Sequence, residues 1–154
     1  IVIWKANRAK SKIAGKLMNN PKSRCNLEKA VHALTSSIAR QKTPRDMLCC
    51  LCKEWEFPLS MASAILTVLY PEDFTIYDER VCDSLDGFHD LRHRTNFENL
   101  WHGYEQFKQR VEESAPHQLS LRDKDRYLWG KSFYDQLRKD IKQCFKRKNK
   151  NSKR

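Results

Sequence analysis

The chain has 154 residues and a formal net charge of +11, from 30 lysine and arginine residues against 19 acidic ones. This length can bury the core of one domain, and the absence of any run of eighteen apolar residues argues against a transmembrane helix. Only four glycines and five prolines are present, and apolar residues recur at helical spacing. We therefore predict one all-α domain over residues 1–145, followed by a basic, disordered tail over 146–154.

The positive charge is concentrated at the two ends of the chain. Residues 1–24 contain seven basic residues and no acid, and residues 138–154 contain nine basic residues and one acid. Such ends are typical of proteins that bind a polyanion, because each neutralised phosphate releases counterions. They are also compatible with a solubilising helix face and a solvated tail.

The first of about seven predicted helices spans residues 4–18. It places a basic edge away from the apolar residues Ile13 and Leu17. The second spans residues 27–40 after Asn26, which is a favourable N-cap. The basic edge of the first helix consists of Lys5, Arg8, Lys12 and Lys16.

The third helix begins with Thr43-Pro44-Arg45-Asp46, a capping box with proline at the first helical position. It is predicted to continue without interruption through Trp55. The sixth and seventh helices begin at similar boxes, which open at Thr95 and Ser120. Residues 86–94, which join the fifth helix to the sixth, form a polar and basic loop.

The fourth and fifth helices lie within residues 57–85 and are separated by a short break. The fourth is small and apolar, and Pro71 ends it. The linker 71–77 is rich in aromatic and β-branched residues, so we expect it to pack. Asp78 then occupies the N-cap of the fifth helix, where backbone N–H groups keep a carboxylate ionised. Such an acid can stabilise positive charge or orient a water, and it can equally serve only as a cap.

Two features of the last helix suggest possible roles. Gly130 marks either close packing or a kink. The four tryptophans lie at apolar helix positions and are mostly expected in the core. Trp129 is the exception, because Gly130 and the basic Lys131 adjoin it.

The six cysteines do not form a disulfide pattern, and no secretory signal is visible. We therefore expect an intracellular protein, in the cytoplasm, nucleoid or nucleus, with reduced thiols. A tetrahedral zinc site could be assembled from Cys49, Cys52, His89 and His93, but 36 residues separate the two pairs. Cysteines inside an apolar helix more often pack as small apolar residues, so we predict neither a metal nor a cofactor.

The segment from residue 57 to residue 81 resembles a known family. Phe57-Pro58-Leu59-Ser60 stands at a hairpin position, Ala62, Ala64, Ile65 and Leu66 form a small-residue helix, and Pro71 precedes Ile76-Tyr77-Asp78-Glu79-Arg80-Val81. This order resembles the helix–hairpin–helix DNA glycosylase superfamily, which includes endonuclease III-like and 8-oxoguanine glycosylase-like enzymes. Members with lyase activity carry a lysine just after the hairpin, where this chain has Leu59, Ser60 and Met61.

The resemblance implies a two-lobed helical fold that binds duplex DNA, including damaged duplex. It implies that Asp78 is the catalytic aspartate, which stabilises an oxocarbenium-like transition state and helps to position a water. The target base would be flipped out of the stack into a pocket between the lobes. Without the lysine, the implied activity is that of a monofunctional glycosylase.

Three functions therefore remain open: a glycosylase that uses Asp78, a nucleic-acid-binding relative without catalysis, and an all-α interaction or scaffold protein. The first predicts a cleft with Asp78 at its floor, the second a shallow cleft beside clustered basic residues, and the third an exposed apolar patch. Tyr77 could stack on a base or act as a hydrophobic staple. No membrane partner is expected. The candidate nucleic-acid-binding residues are Ser60, Tyr77, Arg80, Lys5, Arg8, Lys12, Lys16 and Lys131.

Overall fold

The computed structural model describes residues 10–21 and 26–151, with side chains described as far as Cys144. This part of the chain is all-α, as predicted, with seven α-helices and no strand. None of its helices is both long enough and apolar enough to cross a membrane. The helices are α1 (Lys10–Asn19), α2 (Leu27–Ala39), α3 (Pro44–Cys49), α4 (Leu59–Leu69), α5 (Glu79–Leu85), α6 (Phe97–Ser114) and α7 (Leu121–Asn151), with a π-helical turn at Cys50–Glu54 and a 3-10 turn at His89–His93.

Three helix starts carry the caps that the sequence predicts. In each, a side-chain oxygen accepts a hydrogen bond from the backbone N–H three residues further on, which satisfies one of the unpaired donors of the first turn. The pairs are Asn26 with Lys29 at 3.1 Å, Thr43 with Asp46 at 3.1 Å and Ser120 with Asp123 at 3.2 Å.

The cap predicted at Thr95 is wrong by one residue. Asn96 caps α6 instead, because its side-chain oxygen accepts the N–H of Asn99 at 3.0 Å. Both residue types cap helices, and asparagine is the stronger of the two. The capping-box pattern therefore located the helix but not its first residue.

The start of the first helix, predicted at residue 4, lies outside the described residues. From Lys10 onward α1 is formed as expected, with Leu17 buried and Ile13 packed against the core.

The helix after Thr43 does not continue as an uninterrupted α-helix to Trp55. After Cys49 it widens into a π-helical turn, and the N–H of Trp55 bonds to the carbonyl of Cys50 at 3.1 Å. Glu56 then adopts a positive φ of 51°, which ends the segment and directs the chain into Phe57. This left-handed residue carries out the reversal that a glycine usually provides.

Helix α4 is the buried centre of the fold. Every residue from Met61 to Thr67 is buried, and three of these are small: Ala62, Ser63 and Ala64. A helix that is apolar on all sides belongs in a protein interior, and small side chains allow neighbouring elements to approach closely. The helix ends at Leu69, two residues before Pro71, as the sequence predicts.

The linker between α4 and α5 is held by side chains from three helices. Tyr104 on α6 accepts the N–H of Thr75 at 3.1 Å and donates its hydroxyl to the carbonyl of the same residue at 2.6 Å. Asp125 on α7 accepts the N–H of Ile76 at 3.1 Å, and Ser63 on α4 accepts the N–H of Tyr77 at 2.9 Å. We call residues 74–77 the strap. The expectation that this linker packs is confirmed, since Phe74 and Thr75 are fully buried.

The loop predicted over residues 86–94 is partly ordered as the 3-10 turn. Leu91 within it is fully buried and anchors the segment against α6, where a Cβ at Gly103 would collide with the Leu91 side chain. Asp86 closes α5 with a left-handed φ of 53°. Leu91 and Phe88, whose ring meets that of Phe107 at 5.6 Å, therefore give structure to a largely polar sequence.

Helix α7 begins in the core and then extends beyond it. Leu121, Asp125 and Leu128 are buried, whereas every side chain from Phe133 to Cys144 is exposed. The helix reaches Asn151, whereas the sequence predicts a disordered tail from residue 146. Extending an existing helix costs less than nucleating one. Gly130 neither kinks α7 into two helices nor contacts a neighbouring element, since a Cβ there would meet nothing within 4 Å.

Candidate functional site

Asp78 is the N-cap of α5, as predicted. Its Oδ1 accepts the backbone N–H of Arg80 at 3.0 Å, and the residue is half-buried. The strap that precedes it is fixed by hydrogen bonds, so the backbone presents this carboxylate in one position.

Arg80 lies against two exposed aromatic rings of α7. Its guanidinium carbon is 5.7 Å from the ring centroid of Trp129 and 5.4 Å from that of Phe133. The two rings are nearly parallel, with an interplanar angle of 4° and centroids 5.8 Å apart. We call Arg80, Trp129 and Phe133 the aromatic platform. Cation–π contacts of this kind hold a guanidinium in place while leaving its outer N–H groups available.

The position of the platform depends on how α5 docks on α7. The Ser84 hydroxyl donates to the carbonyl of Leu128 at 2.8 Å, and Arg80 Nη1 donates to Gln136 Oε1 at 3.2 Å. These two bonds lie on either side of the rings. Because Arg80 follows Asp78 in the first turn of α5 and its backbone N–H bonds to the Asp78 carboxylate, the cap and the platform are neighbours along this helix.

Asp125 is a buried carboxylate that sequence reasoning missed. It is 4 % exposed, and its Oδ2 accepts the Ile76 N–H and the Thr75 hydroxyl, the latter at 3.3 Å. Burial raises the pKa of Asp125, and the two donors oppose that rise. A sequence signal existed, because Asp125 shares its helix face with Leu121 and Leu128. The residue fixes the strap just before Asp78 without lying on the surface.

Tyr77 belongs to the core in this structure. It is 5 % exposed, its ring meets that of Phe107 edge-on at 5.4 Å, and its hydroxyl donates to the carbonyl of Phe88 at 2.9 Å. Burial also raises the pKa of Tyr77. The ring offers no exposed face, so the packing role that the sequence allowed is the one that the structure displays.

The remaining predicted residues are spread over several elements. Lys131 is exposed on α7, two residues after Trp129, whereas Ser60 is half-buried in the first turn of α4. On α1, Lys16 bonds to the carbonyl of Glu56 at 2.7 Å and pairs with its carboxylate at 3.1 Å, while Lys12 is exposed. None of the contacts among the described residues links Ser60, Lys12 or Lys16 to the platform. Lys5 and Arg8 lie outside the described residues.

The four possible zinc ligands are not brought together. In the described chain no group of three histidine, cysteine or acidic side chains is arranged to hold a metal. Burial raises the pKa of Cys49, and it raises the pKa of Cys52 to about 12. A raised pKa is expected of cysteines that pack as small apolar residues, not of thiolate ligands. His89 lies 3.3 Å from Asp83, and His93 accepts a hydrogen bond from Arg92 at 3.0 Å.

An open cavity of about 360 Å³ lies near the start of α6. Arg94 in its wall is held by Asp90 at 2.8 Å and by the carbonyl of Asn99 at 2.7 Å. Asp78 does not line this cavity, so it is not the cleft that a glycosylase predicts. The lining residues are His93, Arg94, Thr95, Asn96, Asn99 and His102.

Comparison with known proteins gives no match: no family model, no curated protein and no solved structure is similar to this chain. The glycosylase resemblance therefore stays a prediction that rests on residues 57–81.

Proposed function

We propose that this protein binds DNA through the aromatic platform and the basic side chains of α7. The observation that carries the proposal is the pair of parallel, half-exposed rings of Trp129 and Phe133 with Arg80 held against both. Aromatic rings of this kind stack on bases whatever their sequence, and each stacked base contributes about 1–3 kcal/mol. A nearby guanidinium adds a charge for the phosphates.

The charge of the chain supports the same conclusion. The net charge is +11, and Lys131, Arg138, Lys139 and Lys142 are exposed along the helix that carries the platform. Phosphate neutralisation supplies the affinity that is independent of sequence, and it weakens steeply as salt is raised. The rings then give a preference for bases that are unstacked or easily unstacked.

Asp78 extends the proposal to catalysis. It is fixed next to the platform in the sequence order of the glycosylase family, and a carboxylate there would stabilise the positive charge that develops on the sugar as the base leaves. A base flipped from a duplex would be held on the platform side of α5. In this form the protein is a monofunctional glycosylase, and the binding proposal holds with or without this step.

The binding test uses fluorescence anisotropy with a labelled duplex of about 20 base pairs and with its single strand, from about 50 to 200 mM salt. Trp129→Ala should weaken binding at least about fivefold, which corresponds to the lower end of the stacking range. Tyr134→Ala is the matched control, because Tyr134 is also an exposed aromatic on the same helix, with Arg138 over its ring at 5.5 Å. Equal losses in the two variants, or no binding of wild type at low salt, would overturn the proposal.

The catalytic test is a base-release screen on duplexes that contain damaged bases. Asp78→Asn is a clean variant, because asparagine also caps helices, so fold and DNA affinity should be unchanged. Release by wild type and not by Asp78→Asn assigns the catalytic role. Release by neither restricts the function to binding, and equal release by both would contradict the role of Asp78.

A further inference from the structure

A second exposed surface on α7 is apolar and borders the platform, because Leu137 follows Phe133 by about one helical turn. Six of the ten large apolar residues that are exposed among the described residues lie on this helix. Two belong to the aromatic platform. We call the other four the α7 stripe, and each of them is 45–57 % exposed. The α7 stripe consists of Tyr127, Tyr134, Leu137 and Ile141.

The spacing of these residues makes a continuous line along the helix. Tyr127, Tyr134 and Ile141 are seven residues apart, and Leu137 falls between the last two, as in the seam of a coiled coil. Since each residue turns the helix by about 100°, the mean direction of this line lies roughly 140° from that of Leu121 and Leu128, which face the core. The core of this chain therefore does not account for the α7 stripe.

The chemistry of the α7 stripe differs from that of the platform. Leu137 and Ile141 are aliphatic and offer no ring face to a base, so their burial needs an apolar partner surface. Contiguous exposed apolar residues of this kind mark protein interaction sites. An amphipathic helix laid along α7 would cover such a line with its own apolar face.

The charges beside the α7 stripe select the partner. Lys131, Arg138 and Lys142 lie along one edge of it, and all three are exposed. In an antiparallel pair of copies these basic edges would face each other, and in a parallel pair Lys131 would face Arg126 of the second copy. In both arrangements Lys131 would face a basic residue of the second copy, whereas a helix with glutamate or aspartate facing this edge would be attracted; Asp140 lies on the opposite edge.

We propose that the α7 stripe binds an amphipathic helix with acidic flanks, supplied by another protein. The apolar seam gives the affinity, and the basic edge selects the partner by charge. The apolar residues of this site are separate from the aromatic platform, but its basic edge is shared with the side chains proposed to bind DNA, so the test below is carried out without DNA.

The test uses two synthetic helical peptides of four heptads, both with leucine at the seam positions. One carries glutamate at the flanks and the other lysine. Binding to the full chain is measured by fluorescence anisotropy. We expect the acidic peptide to bind at least about tenfold more tightly than the basic one.

A charge-neutral double variant separates apolar docking from simple attraction. Leu137→Gln with Ile141→Gln should weaken the acidic peptide at least about tenfold, with helix content verified by circular dichroism. The matched control is Val68→Gln with Leu69→Gln, because these two residues are exposed to a similar degree on α4. The control should bind as wild type does.

Three outcomes would overturn the proposal. The first is binding of the acidic peptide that the α7 double variant leaves unchanged, since charge alone would then explain it. The second is a dimer at micromolar concentration that the same variant dissolves, which would make a second copy the occupant. The third is a loss of duplex affinity in that variant without any peptide binding, which would assign the α7 stripe to DNA.

Discussion

Replacing Asp125 tests whether the buried support of the strap before Asp78 is as important as its geometry indicates. In Asp125→Ala the N–H of Ile76 and the hydroxyl of Thr75 lose their acceptor in a site that is almost closed to water. Each hydrogen bond to a charged group contributes about 1.5–3 kcal/mol. The substitution also removes the cost of burying a carboxylate, which offsets part of the lost hydrogen-bond energy. We therefore expect the free energy of unfolding to fall by about 3 kcal/mol.

The assay is urea unfolding monitored by tryptophan fluorescence and circular dichroism. Asp125→Asn is the matched control, because its amide oxygen keeps an acceptor in the same place, and its loss should be clearly smaller. A fall of less than about 1 kcal/mol in Asp125→Ala would refute the reasoning, since it would mean that water or a rearranged strap satisfies the two donors.

The pH dependence of stability in wild type and in Asp125→Asn gives an independent check. Burial raises the pKa of Asp125 above its ordinary value of 3.8. The folded state therefore holds the proton more tightly than the unfolded state does, and the stabilisation from the protonated acid is fully present below 3.8 and is lost as pH rises through the raised pKa. Wild type should lose stability relative to Asp125→Asn as pH increases from about 4. A relative gain over that range would contradict the sign.

Three further predictions concern other parts of the molecule. Tyr104→Phe leaves the N–H of Thr75 without its acceptor and should cost about 1–3 kcal/mol in urea unfolding; an unchanged midpoint would show that the strap finds another partner. Asp86→Gly should stabilise the protein by up to about 1 kcal/mol, because φ is 53° at this position, whereas Asp86→Ala should not. Burial raises the pKa of Cys52 to about 12 and that of Cys82 to about 11. In the folded protein at pH 8 both should therefore resist iodoacetamide, as read from peptide masses, and labelling at the rate of the unfolded chain would contradict this.

Local signals in the sequence predicted the helices and most of their starts. Asn26, Thr43 and Ser120 cap the helices that they precede, because a cap is decided within four residues. Thr95 failed as a cap because its neighbour Asn96 offers the same chemistry. The π-helical turn after Cys49 had no local signal, since its hydrogen bonds are one residue longer than those of the helix it continues.

The candidate site was less predictable because its contacts join distant parts of the chain. Trp129 was expected to be exposed and Arg80 was a candidate, but their contact depends on the docking of α5 on α7. Asp125 lies 49 residues from the amide that it binds, and periodicity places it only on the inner face of its helix. The sequence therefore predicted some of the residues of the site, but not the contacts between them.

The strap also connects the folding of the protein to the placement of Asp78. The amides of Thr75, Ile76 and Tyr77 are consecutive, and each is bonded to a side chain from a different helix. No helical hydrogen bond protects them, so their exchange with deuterium reports the docking of α4, α6 and α7 together. If one of these helices opens, the amide that it holds can exchange, and the strap before Asp78 loses one of its three attachments. The exchange rates of these three amide hydrogens thus report how often the segment that positions Asp78 opens.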